Sequence, residues 1–122
     1  MTAIPDDDGA PDDEFFARLA QLNDRFAAAL PATLARLLEA HNAFDVEHPV
    51  QAVIDDVHAT LHTLAGSSAT FGFHGLGHAA RDLEQRLLVL TAFDAVAPGD
   101  WADWLAHLRD FIDRAGRDPK GL

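Results

Sequence analysis

One stripe of side chains constrains this chain more than any other feature. Ile54, Val57, Leu61, Leu64, Ser68 and Phe71 follow one another at alternating steps of three and four. That spacing gathers side chains on one face of an α-helix, whereas a strand would divide them between both of its faces. The same period returns in Phe15, Phe16, Leu19, Leu22, Phe26, Leu30, Leu34, Leu37 and Leu38. It returns again in Leu76, Ala80, Leu83, Leu87 and Leu90, and in Trp101, Trp104, Leu105, Leu108, Phe111 and Ile112. No segment shows a strand period bounded by turns, and 122 residues suit one domain with one core.

Breaks in the periodic segments set the expected boundaries. Residues 1–11 hold two prolines, a glycine and three consecutive aspartates, and read as a disordered acidic tail. Asp12 or Asp13 caps a short helix over about 12–22. A longer helix follows over about 24–43, kinked at Pro31, where a backbone donor is missing. A single long kinked helix is the alternative. Pro49 suits the first turn of a helix over about 49–71, and Gly72 stops it. The next helix runs over about 74–92. A last one, capped by Asp100, reaches about 115, where Gly116 closes it and residues 117–122 fray. Short loops make neighbouring helices antiparallel. The expected fold is all-α: an antiparallel up-down four-helix bundle over residues 12–116, with a short additional N-terminal helix.

Composition excludes several functions. The chain has no cysteine, so thiolate metal sites and disulfides are ruled out. Its net charge is −11, and six of its 20 acidic residues lie within residues 1–14. Lys120 is the only lysine, which argues against nucleic acid and against an acidic membrane surface. No apolar run approaches the roughly 20 residues that span a bilayer. The acidic N-terminus lacks the pattern of a signal peptide, which makes the cytoplasm the default location.

His62 stands beside Leu61, off the apolar stripe. Ala65, Gly66 and Ala69 follow on its side of the helix, one and two turns on. A mid-helix glycine is disfavoured by about 1 kcal/mol against alanine, so Gly66 suggests close approach to the backbone, by a partner or by a neighbouring helix.

The run His62, Leu64, Ala65, Gly66, Ser67, Ser68, Gly72, Leu76 resembles the motif of the histidine phosphotransfer (HPt) domain family. The match runs from about His58 to Leu87, and the order of helices extends it over the chain from about residue 12. The lysine usual three residues after the histidine is Ala65 here. The resemblance implies a phosphoryl carrier without autonomous kinase activity, phosphorylated on Nε2 of His62. It implies response-regulator receiver domains and a hybrid histidine kinase as partners, with Mg²⁺ on the receiver and no cofactor in this chain. It also implies an acid or amide 22 positions on, Glu84, holding the other ring nitrogen.

A count supports Glu84 independently. If the helices on either side of Phe73 are antiparallel, residues equidistant from 73 lie level, which pairs His62 with Glu84. It also pairs Ala65 with Arg81, so Arg81 is the candidate to supply the charge of the missing lysine, with Arg86 a weaker one. Ala59, Ala65, Gly66 and Ala69 would form the surface over which a partner closes. A single bundle with a polar exterior suggests a monomer.

Two other readings stand beside this one. Asp55, His58 and His62 share a helix face, and His74 and His78 form an i, i+4 pair, so a metal-binding bundle is one alternative. A helical adaptor without phosphorylation is the other. His41, His48 and His107 read as surface, loop or core-edge residues. Ser67 and Ser68 lack a triad. Trp101 and Trp104 read as core anchors.

Overall fold

A computed structural model describes the backbone of residues 3–122 and the side chains of residues 13–122. Among the described residues there are four helices and no strand. They are α1 (Ala3–Ala43), α2 (Gln51–Thr70), α3 (His74–Thr91) and α4 (Pro98–Arg117). Each helix packs on two neighbours, α1 on α2 and α4, and α3 on α2 and α4, and the α2–α3 interface is the most extensive.

Contacts across the helices establish the antiparallel arrangement. Arg36 of α1 pairs with Asp56 of α2. His62 of α2 meets Glu84 of α3. The Trp104 indole N–H of α4 donates to the Leu83 carbonyl of α3 at 3.1 Å. In each pair the two residues lie on opposite sides of the connecting loop and at similar distances from it. Phe44, just after α1, packs on Trp101 at the start of α4, ring centroids 4.9 Å apart, which closes the ring of helices.

From Leu30 onward the stripes read from the sequence supply most of the core, joined by Ala65, Phe73 and Ala115. Leu37, Leu61, Leu76, Leu87 and Leu108 are fully buried, and Trp101 and Trp104 are buried with them. Fully burying a leucine contributes about 1.5–3 kcal/mol, so these positions carry much of the driving force for the bundle.

Several boundaries differ from expectation. α1 runs unbroken through Asn23-Asp24 and Pro31, so the short N-terminal helix is not a separate element. Proline inside a helix is disfavoured by about 3 kcal/mol. Leu30, Leu34 and Leu37, buried on either side of it, outweigh that cost and hold the helix together. α1 is assigned from Ala3, so it takes in most of the segment expected to be an acidic tail. Acidic residues are favoured at the positive end of a helix. Residues 1–2 lie outside the described residues. Pro49 precedes α2, whose N-cap is Val50. Ala97, not Asp100, caps α4, because Pro98 at N1 fixes the first helical φ. α4 continues through Gly116 to Arg117. The last residues fold back rather than fray. Leu122 packs on the core edge, and the Lys120 ammonium lies 5.1 Å from the Phe73 ring centroid, a cation–π contact.

α1 is about twice as long as the other helices, about 60 Å at 1.5 Å per residue. Phe26 packs against Phe71 and Phe73 at the α2–α3 turn. N-terminal to that level Phe15, Phe16 and Leu22 are exposed.

Candidate functional site

The α2–α3 hairpin builds the site. Gly72 ends α2 with φ +84°, a left-handed conformation that a residue with a Cβ rarely adopts. The Phe73 N–H donates back to the Ser68 carbonyl at 2.8 Å, and the Gly77 N–H to the Phe73 carbonyl at 3.0 Å. These bonds set the register between the two helices. A Cβ placed on Gly77 would lie 3.1 Å from the Ala65 carbonyl oxygen and 3.3 Å from the Ala69 nitrogen. α3 therefore passes very close to the backbone of α2, just below His62.

In that register His62 Nδ1 lies 2.7 Å from Glu84 Oε2. The Glu84 side chain is only 11% exposed, while that of His62 is 73% exposed. An ionised carboxylate only accepts hydrogen bonds, so Nδ1 carries the donated proton and the Nε2 lone pair is left for chemistry. One side chain is buried, and the other projects into solvent.

A second histidine shares the carboxylate. His58 Nε2 lies 3.2 Å from the same Glu84 Oε2. The contact lies off the hydrogen-bonding line, and this buried nitrogen has no other partner among the described residues. The His58 and His62 rings stack, centroids 6.2 Å apart and planes 18° apart. In the sequence alone His58 shares the His62 face only as a metal candidate. The signal for its contact with Glu84 is its position one helical turn before His62. Among the described residues no group of three or more His, Asp or Glu side chains is arranged to hold a metal ion.

The other candidates separate. Ala59, Gly66 and Ala69 are exposed. A Cβ on Gly66 would meet nothing within 4 Å, so packing inside the chain does not account for this glycine. Ala65 departs from expectation: it is 1% exposed, turned into the α2–α3 seam where Gly77 presses on it, and so is no part of an open surface. Arg81 is exposed on α3, three residues before Glu84, with no ion pair among the described residues. Arg86 is tied to Asp82 at 2.9 Å. His48, His74, His78 and His107 are exposed, and His41 lies at the core edge. Ser68 is fully buried, its hydroxyl without a hydrogen-bond partner among the described residues.

Beside His62, α1 and α2 enclose an open groove of about 320 Å³ whose walls include Phe26, Thr33, Arg36, Ala59, Thr63 and Ser67. The Asp56 carboxylate, through its hydrogen bond and then its charge, raises the pKa of Arg36 above the usual guanidinium value. No helix among the described residues is long and apolar enough to cross a membrane.

A family model described as Hpt domain matches residues 13–118. No curated protein and no solved structure matches the chain.

Proposed function

Since the chain belongs to the Hpt domain family, whose members act as phosphocarrier modules in two-component phosphorelays, we propose that His62 is its phosphoacceptor. In this reading Nε2 accepts a phosphoryl group from the aspartyl phosphate of a receiver domain and later yields it to another. The observation that carries the proposal is the pairing of an exposed imidazole with a buried carboxylate through Nδ1 alone.

The step balances without a base from this chain. The Nε2 lone pair attacks phosphorus in line, and the bond between phosphorus and the aspartate oxygen breaks. Its electron pair returns to the aspartate as carboxylate. The ring gains positive charge, which the Glu84 carboxylate faces at 2.7 Å. Neutral imidazole is already nucleophilic near pH 7, so alignment and charge neutralisation are the main demands. Mg²⁺ belongs to the receiver. The chain is thus a carrier rather than a kinase, acting in the cytoplasm as a monomer, fed from a hybrid histidine kinase and serving a response regulator.

The partner closes over Ala59, Gly66 and Ala69 and into the groove between α1 and α2. Arg81, exposed and without an ion-pair partner among the described residues, supplies positive charge to the phosphoryl group in place of the family's lysine. Replacing it with alanine is expected to slow transfer and to change the lifetime of phosphohistidine. If both stay as in wild type, Arg81 has no such role.

The decisive experiment incubates the protein with a panel of phosphorylated receivers and compares wild type with His62→Gln. Wild type is expected to gain acid-labile phosphate, and the variant none. Transfer that persists in His62→Gln would refute the assignment.

A further inference from the structure

We infer that His58 is a positioning residue for the acceptor, acting through Glu84; this rests on His62 being the reactive group. Two contacts converge on a single carboxylate oxygen: His62 Nδ1 at 2.7 Å and His58 Nε2 at 3.2 Å. The terminal torsion of a glutamate is broad and roughly two-fold, so a carboxylate held from one side still swings. A second nitrogen packed against the same oxygen narrows that swing. His58 Nε2 is shielded from solvent and has no competing partner among the described residues, so nothing else draws it away.

His58 also acts on His62 directly. It sits one helical turn earlier on the same face, and its ring stacks on the His62 ring at 18° between planes. It therefore limits both members of the pair, the carboxylate from its inner side and the imidazole across one face. Small errors in the aim of Nε2 are expensive for an in-line displacement. A residue that touches neither phosphorus nor the receiver can influence the rate in this way.

The role predicts a signature that a structural residue would not give. The protonated nitrogen of His62 is visible in long-range ¹H–¹⁵N correlation spectra of the labelled, unphosphorylated protein. Wild type is expected to hold the Nδ1–H tautomer. His58→Ala is expected to mix in the Nε2–H form while melting as wild type does, because alanine is the better helix former at a partly exposed site. Transfer from a receiver charged with acetyl phosphate should fall about tenfold, less than the roughly hundredfold cost of a 1 Å misplacement, because the aim of Nε2 loosens without being lost.

His58→Gln places an amide N–H near the position of Nε2. It is expected to restore both the tautomer and the rate to within about twofold, since the contact to the charged oxygen is remade. A His58→Ala protein with the wild-type tautomer and rate would overturn the inference. So would a folded His58→Gln protein about tenfold slower than wild type with a mixed tautomer, and this comparison with wild type decides the matter even if the alanine variant loses its fold. Should wild type accept phosphate from no receiver, the carrier reading falls, while the tautomer comparison still decides the role of His58.

Discussion

Glu84→Gln removes one charge and almost no volume, and so isolates what the carboxylate contributes. Its Oε2 lies 2.7 Å from His62 Nδ1 in a position with little solvent. Opposite unit charges about 4 Å apart attract by about 4 kcal/mol at an effective dielectric of about 20. The transition state carries only part of a unit charge on the ring, the ring is open to solvent, and the glutamine oxygen still accepts from Nδ1–H. Those three discounts leave about 1.5–2 kcal/mol, equivalent to a rate loss of about 10–30-fold. Stability should move by less than about 1 kcal/mol, because losing a buried charge also removes its desolvation penalty. Single-turnover transfer from a phosphorylated receiver measures the first quantity and thermal melting the second. Transfer at the wild-type rate in a folded Glu84→Gln protein would refute the idea that this carboxylate stabilises the ring during attack.

Two further substitutions test the helix surfaces around the site. A Cβ on Gly66 meets nothing within 4 Å on the described chain, so Gly66→Leu should raise the melting temperature by a few degrees through helix propensity, about 0.8–1 kcal/mol. The same variant should slow transfer at least about tenfold if a receiver must approach that backbone closely; an unchanged rate would remove Gly66 from the docking surface. Gly77→Ala forces its new methyl against backbone atoms of Ala65 and Ala69, which cannot swing aside. Overpacking of about 1–3 kcal/mol against a propensity gain of about 1 kcal/mol predicts a lower melting temperature and a weakened His62 Nδ1–H signal, read by calorimetry and NMR.

Much of this arrangement was legible because it depends on period and count. The stripes through Leu61, Leu83 and Leu108 mark core positions, and counting outward from Phe73 pairs His62 with Glu84. What escaped depends on contacts between elements. Pro31 reads locally as a break, yet the leucines around it keep α1 whole. Ala65 lies three residues after His62 and so reads as a neighbour on the open surface. Its burial follows from how closely α3 approaches at Gly77, which no single helix reveals. His58 shared a face with His62 in the sequence, but its contact with Glu84 depends on where a buried carboxylate turns.

His62, Glu84 and His58 all lie on one hairpin, within residues 58–84. α1 contributes no side chain to that cluster, yet Phe26, Thr33 and Arg36 form one wall of the groove beside it. On the proposed function, reaction and recognition are therefore modular along the chain: the hairpin carries the reacting atoms, and the exposed face of α1 is the part that can be rewritten. Residues transplanted along that face are then expected to redirect the choice of receiver while the hairpin atoms keep their places.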